Sequence, residues 1–166
     1  MTSIGPSLLR MASPIGRLEL TGDGESILSL SIERDGHLPL DDRPESPSPL
    51  LTRASRQLTE YFAGTRTSFD LPVRPQGGTP FQIGVWQRLS TLGFGEVTSY
   101  GELGLSLGKP GAGRAVGGAV GANPVPILIG CHRVLAANGR ITGYSGGSGV
   151  PTKVWLLNHE GIEHQV

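Results

Sequence analysis

At 166 residues with 37% hydrophobic side chains, the chain has room for one domain or two small ones and enough apolar material for a core. The formal charge is zero, split as −2 over residues 1–80 (8 Arg against 10 acids) and +2 over residues 81–166 (4 Arg and 2 Lys against 4 acids). A nucleic-acid partner is therefore permitted for the second half without being announced by charge. The lone Cys131 excludes an internal disulfide and a cysteine-rich metal site; no charged-then-apolar leader and no long apolar run is visible, so no membrane partner and a reduced, cytoplasmic protein are expected.

The first third reads as strands. Ser7–Met11 and Arg17–Thr21 flank a turn at Ser13-Pro14-Ile15-Gly16, and after Gly22-Asp23-Gly24 the residues Leu28, Leu30 and Ile32 alternate with serines. That period predicts a small antiparallel meander. Residues 37–49, rich in Pro, Asp and Ser, read as a loop. Ser48-Pro49 looks like an N-cap followed by proline at the first helical position, with Leu51, Ala54, Leu58, Tyr61 and Phe62 at helical spacing and Gly64 as the stop. Residues 71–78 hold two prolines and two glycines and are expected to link residues 1–77 to a second domain at 78–166.

In the second half, Thr79-Pro80-Phe81-Gln82 has the form of a capping box, predicting a helix from Pro80 to about Thr91 with Phe81, Val85, Leu89 and Leu92 on its core face. Ser99-Tyr100-Gly101-Glu102 is a second box, opening a helix that ends near Gly108. Lys109-Pro110-Gly111 is a turn, and Ala112–Ala122 is a third helix of small residues, so the two form a helix-turn-helix candidate. A final helix runs from about Pro151 to Glu160, stopped by Gly161. The fold class is thus α/β (α+β): an N-terminal antiparallel sheet with a helix, then a helical, winged-helix-like unit.

Two segments invite chemistry. The Ala112–Ala122 helix holds Gly113, Gly117 and Gly118, each costing about 1 kcal/mol against alanine. Such a helix either packs tightly on a neighbour or lets its backbone approach a narrow DNA groove, with Arg114 as its one long cation. Cys131-His132 follows the apolar run Val125–Ile129, read as a buried strand. Cys131 is then a buried filler or a nucleophile, and a nucleophilic thiol needs a base or a positive field. On an extended segment His132 points away from the sulfur, so a water is expected to relay the proton. An imidazole base needs a carboxylate to hold its tautomer. Glu160, Glu163, Glu96 and Glu102 are candidates, with Glu160 favoured because a carboxylate at a helix C-terminus gains nothing from the dipole. Tyr144-Ser145-Gly146-Gly147 reads as a glycine-rich loop able to line a pocket. His37, His159 and His164 read as solvated, and no metal or cofactor is expected.

Taken in order, Phe94-Gly95-Glu96-Val97-Thr98-Ser99-Tyr100, Arg114-Ala115-Val116-Gly117, Asn123 to Ile129, Cys131-His132-Arg133-Val134, Gly143-Tyr144-Ser145-Gly146-Gly147 and Lys153 through His159-Glu160-Gly161 resemble the O6-alkylguanine-DNA alkyltransferases. The resemblance spans Thr79–Gly161 and, more loosely, the N-terminal sheet. It implies DNA repair by irreversible, single-turnover transfer of an alkyl group from O6-alkylguanine to Cys131, with O4-alkylthymine left open as a second substrate. It implies a monomer on double-stranded DNA, entering the minor groove and flipping the base out of the stack. His132 would serve as base through a water, Glu160 would orient it, and Tyr100 would hydrogen-bond the departing guanine at N3. Arg114 would fill the gap in the duplex, with Ala115, Gly117, Gly118, Thr98 and Ser99 also on the DNA face. Asn123 would hold the turn beneath the recognition helix, and Val134, Tyr144 and Ser145 would line the base pocket.

Two departures from the family pattern stand out. Gly130 occupies the position before the cysteine, where the family carries proline, and restoring proline is expected to keep or raise stability and rate. The stretch Ser148–Thr152 is about two residues longer than usual. An alternative within the resemblance is a non-catalytic alkyltransferase-like protein that binds alkylated DNA and recruits other repair. Such relatives lack the cysteine that this chain keeps.

Overall fold

The computed structural model describes residues 6–166. Strands β1 (Ser7–Met11), β2 (Leu18–Gly22) and β3 (Ile27–Ile32) form an antiparallel meander in the order β1-β2-β3, with Leu9 opposite Leu20 and Leu20 opposite Leu30. The alternation of β3 holds: Ile27, Leu28, Leu30 and Ile32 are buried while Ser29 and Ser31 are partly so. All of β2 is buried, because the loop of residues 37–46 folds back over the sheet. Inside that loop the Leu40 amide donates to the buried Glu19 carboxylate at 3.1 Å, which also pairs with Arg10 at 3.2 Å.

Helix α1 (Pro49–Phe62) starts where Ser48 accepts a hydrogen bond from the Leu51 amide and Pro49 presets the first turn. It lays Leu51, Ala54, Leu58 and Tyr61 on the core. Residues 71–78 do not run free. Ile27 bridges Val73, donates to the Pro72 carbonyl at 2.8 Å and accepts from the Arg74 amide at 2.9 Å. The expected linker therefore covers the open edge of β3, and the Pro124 carbonyl takes the Leu30 amide at 2.9 Å farther along that edge. This edge pairing leaves fewer unsatisfied groups for aggregation.

Helix α2 (Pro80–Leu89) has the full Thr79/Gln82 capping box and ends two residues before the expected Thr91. Trp86 joins Val85 and Leu89 in the core, and its indole N–H donates to the Ala119 carbonyl at 2.8 Å. Strand β4 (Thr98–Ser99) leads into α3 (Tyr100–Ser106). Ser99 accepts from the Glu102 amide at 3.1 Å, while the Glu102 carboxylate takes its bond from Thr98 at 3.3 Å, so only half of the second box forms. Helix α4 (Gly113–Gly121) follows across a turn and packs on both α2 and α3.

The run Val125–Ile129 is not a strand. It is a turn in which Ile127 adopts φ +74° and Pro126 bridges Ile129. Asn123 stitches it closed, donating to the Ile129 carbonyl at 2.9 Å and accepting from the Val125 amide at 3.0 Å. A 3₁₀ turn at Cys131–Arg133 and strand β5 (Val134–Leu135), parallel to β4, come next. Helix α5 (Val150–Glu160) closes on Gly161 at φ +71°, a left-handed cap. The wing expected beside the helix-turn-helix pair is reduced to this two-residue parallel pairing. Residues from both halves, from Leu18 and Tyr61 to Cys131 and Leu156, share one buried cluster.

Candidate active site

Cys131 is 4% exposed and forms part of the wall of a cavity of about 420 Å³ whose other walls include Tyr100, Gly117, Tyr144, Ser145 and Lys153. The stitched turn before it and the 3₁₀ turn it begins fix its backbone. Burial pushes the Cys131 thiol up, while Asn123, Tyr144 and the Lys153 charge pull it down. The Tyr144 hydroxyl is buried and makes no hydrogen bond of ordinary geometry among the described residues; its nearness to the sulfur favours the thiolate form of Cys131. The Lys153 ammonium, brought down to about 8 by burial, donates to the carbonyls of Val134 at 2.7 Å and Gly143 at 3.3 Å.

Of the four candidate carboxylates, the fold brings Glu160 to the histidine. His132 Nε2 lies 2.7 Å from Glu160 Oε2, both side chains fully buried. A carboxylate accepts, so the imidazole proton sits on Nε2 and the lone pair is on Nδ1. That Nδ1 is buried and has no hydrogen-bond partner among the described residues. Burial lowers the His132 pKa against the pull of Glu160, and Arg133 and Lys153 lower it further. Burial thus favours the uncharged form of both groups, the neutral imidazole and the protonated thiol. Glu160 itself is held well below the usual carboxylate range by His132, Arg133 and the Gly95 amide, which outweigh its desolvation.

Three of Glu160's partners escape a reading of the sequence. Arg133 grips it with Nε on Oε1 at 2.8 Å and Nη2 on Oε2 at 3.0 Å. The Gly95 amide donates to Oε1 at 3.0 Å, and the Tyr61 hydroxyl donates to Oε2 at 2.6 Å. The adjacency of Arg133 to the Cys-His pair was the available signal for the first. Gly95, at φ +78° in a position natural to glycine, was the signal for the second. His159, expected in solvent, instead stacks on Trp155 and bonds the Tyr61 carbonyl through Nε2 at 2.7 Å.

The remaining expected residues divide. Tyr100 lines the cavity, and its hydroxyl oxygen accepts from Thr142 at 3.1 Å, which leaves its own proton free to donate. Ser145 lines the cavity and donates to the Gly121 carbonyl at 2.7 Å, tying the loop to α4. Val134 does not line it; the side chain is fully buried in the core and only its carbonyl contributes, as the anchor of Lys153. Arg114, Ala115 and Gly118 are exposed along one side of α4, with Gly117 turned to the cavity. Thr98 and Ser99 are partly buried in β4. At Gly130 (φ −73°) a Cβ would lie 2.8 Å from Arg133 Nη1 and 3.0 Å from its Cδ, so glycine there makes room for the guanidinium.

Two family profiles cover the chain: 6-O-methylguanine DNA methyltransferase, DNA binding domain, over residues 80–162, and 6-O-methylguanine DNA methyltransferase, ribonuclease-like domain, over residues 10–75. The chain belongs to the 6-O-methylguanine DNA methyltransferase family. It is 44% identical over 137 residues to the methylated-DNA–protein-cysteine methyltransferase of Salmonella typhimurium, covering 82% of this chain and 75% of that one. The crystal structure of the O6-methylguanine methyltransferase of Mycobacterium tuberculosis superposes with a TM-score of 0.83 at 40% identity, covering 94% of this chain and 93% of that one. A structure of the M. tuberculosis protein in complex with DNA matches equally, with a TM-score of 0.83 at 40% identity over 93% of each chain. Within the 6-O-methylguanine DNA methyltransferase family profiles, all the polar groups around Glu160 except Tyr61 lie in the DNA binding domain match; Tyr61 comes from the other. No helix among the described residues is long and apolar enough to cross a membrane.

Proposed function

We propose that this chain repairs DNA by moving the alkyl group of O6-alkylguanine onto Cys131, once per molecule. The observation that carries the reading is the buried pair of His132 and Glu160 behind a thiol that opens on a cavity. The thiol proton passes through a water to His132 Nδ1, the lone pair that Glu160 keeps free. The sulfur then attacks the alkyl carbon, a carbon–sulfur bond forms, and the electron pair of the broken carbon–oxygen bond returns to the guanine. The Tyr100 hydroxyl donates to N3 of the leaving base and stabilises the charge gathering there. The thioether has no route back, so the protein is spent.

The target oxygen inside a stacked duplex is out of reach of a sulfur set into the protein, so the nucleotide must be extruded. Helix α4 fits a minor groove about 6 Å wide because its exposed side carries little beyond Arg114, Ala115 and Gly118. The exposed Arg114 fills the space the base leaves. Ser145 and Tyr144 flank the base inside the cavity. The protein works as a monomer on double-stranded DNA, and a nucleophile that must stay a free thiol suits the cytoplasm.

The test compares Arg114→Ala with the wild type on duplex, single-stranded and free-base substrates. Transfer from the duplex should fall far more than from the other two, because only a duplex leaves a hole to fill. Equal losses on all three would remove Arg114 from base flipping. In parallel, Cys131→Ala should bind DNA nearly as well as the wild type, since backbone contacts supply most of the affinity.

A further inference from the structure

The alkyl-transfer reading uses Cys131, His132 and Glu160, all in the second half of the chain. Helix α1 of the first half sends one polar atom into the same site. The Tyr61 hydroxyl donates to Glu160 Oε2 at 2.6 Å across 99 residues of sequence. That oxygen is the one His132 Nε2 uses at 2.7 Å and Arg133 Nη2 at 3.0 Å. Tyr61 is fully buried, and its ring is boxed by Phe62, Phe69, Phe94 and His159 at centroid distances of 5.3, 5.5, 6.0 and 4.9 Å. The box takes walls from both halves and leaves the hydroxyl one direction, toward the carboxylate.

We propose that Tyr61 is a positioning residue for alkyl transfer: its hydroxyl holds Glu160 Oε2 in register with His132 and takes up part of its charge, so that the imidazole rests neutral with Nδ1 ready for the thiol proton. The proposal rests on the relay described above. Its physical basis is that hydrogen bonds to a charged group are short and strong, and that each donor on a carboxylate weakens the hold of that carboxylate on a neighbouring imidazolium. The groups that bear on the same pair are His132 and Arg133 from the 3₁₀ turn, His159 on the tyrosine ring, and Cys131, Lys153 and Tyr144 beyond the imidazole. Of these, His159 hydrogen-bonds α1, and it reaches the Tyr61 backbone carbonyl rather than the carboxylate. The first half thereby acts on the reaction through Glu160.

Tyr61→Phe keeps the ring contacts and removes one oxygen. The experiment is the rate of methyl transfer from an O6-methylguanine oligonucleotide, followed by intact mass against pH, for the wild type and the variant. Loss of the donor strengthens the attraction of Glu160 for the imidazolium, so the acidic limb of the profile should move up by about one unit, with up to about a tenfold loss of rate on that limb. An acidic limb left in place, at whatever overall rate, would overturn the proposal and reduce Tyr61 to packing. If the wild type shows no acidic limb at all, the relay itself fails, and the proposal falls with it. Should Tyr61→Phe not fold, 2,3-difluorotyrosine placed at position 61 keeps the shape and donates more strongly. It should move the limb down, and an unmoved limb there overturns the proposal equally.

Discussion

Arg133 makes two hydrogen bonds to Glu160, at 2.8 and 3.0 Å, and a third to the Leu92 carbonyl at 2.8 Å. Both partners are buried, so removing either charge strands the other. Glu160→Gln should therefore lower stability by about 3–5 kcal/mol and slow transfer, because the imidazolium loses its counter-charge. The acid behaviour follows from the same carboxylate. Its folded pKa is depressed, so its contribution is complete above the unfolded value near 4.3 and fades as pH falls toward the folded one. Urea melts at falling pH should show that loss in the wild type and a flatter dependence in Glu160→Gln; parallel curves would remove Glu160 from acid stability. Gly130→Pro belongs here too. Its φ of −73° suits proline, and the expected gain from a stiffer unfolded chain is ~0.4–1 kcal/mol. Against it, the added Cβ presses on an Arg133 held by three hydrogen bonds, and overpacking costs about 1–3 kcal/mol. Contrary to the expectation from the family pattern, the proline variant should melt lower and transfer more slowly; a higher melting temperature would show that Arg133 yields at little cost.

Among the elements, α4 sets stability against function. A Cβ on Gly118 meets nothing within 4 Å, and one on Gly117 only touches the Tyr100 ring at 3.9 Å. Gly118→Ala should then raise stability by up to about 1 kcal/mol, while Gly118→Leu should fold and lose DNA affinity. If Gly118→Leu bound duplex DNA as well as the wild type does, this side of α4 would not be the groove-facing one. The helices were legible in the sequence because their signals are local: Ser48, Thr79 and Ser99 each cap an amide three residues on. The turn at Val125–Ile129 was not. Five residues of which four are Val, Ile or Leu read as strand, and nothing in an isoleucine announces φ +74°, which costs a β-branched residue on the order of 1–3 kcal/mol. Asn123 alone carried the clue, since its side chain supplies the bonds a strand partner would have supplied. The β4–β5 pairing and the Tyr61–Glu160 bond join positions far apart in sequence, with no local pattern to mark either.

At the scale of the molecule, zero net charge limits how DNA is held. Of the six cations in the second half, Arg133 and Lys153 are buried, which leaves Arg88, Lys109, Arg114 and Arg140 for phosphates. Binding through this half predicts a slope of log K against log salt no steeper than about −4. A markedly steeper slope would bring arginines of the first half into the DNA contact. The expected linker is spoken for as the edge partner of β3, and the two halves share one core and one carboxylate, so the first half bears on the chemistry as well as on stability. Whether Cys131 accepts the alkyl group is read from peptide mass after incubation with an O6-methylguanine duplex. The peptide holding Cys131 should gain the mass of one methylene, at one per molecule, with no gain in Cys131→Ala; methyl loss from the DNA without that gain, or a gain on another residue, would rule Cys131 out as the acceptor.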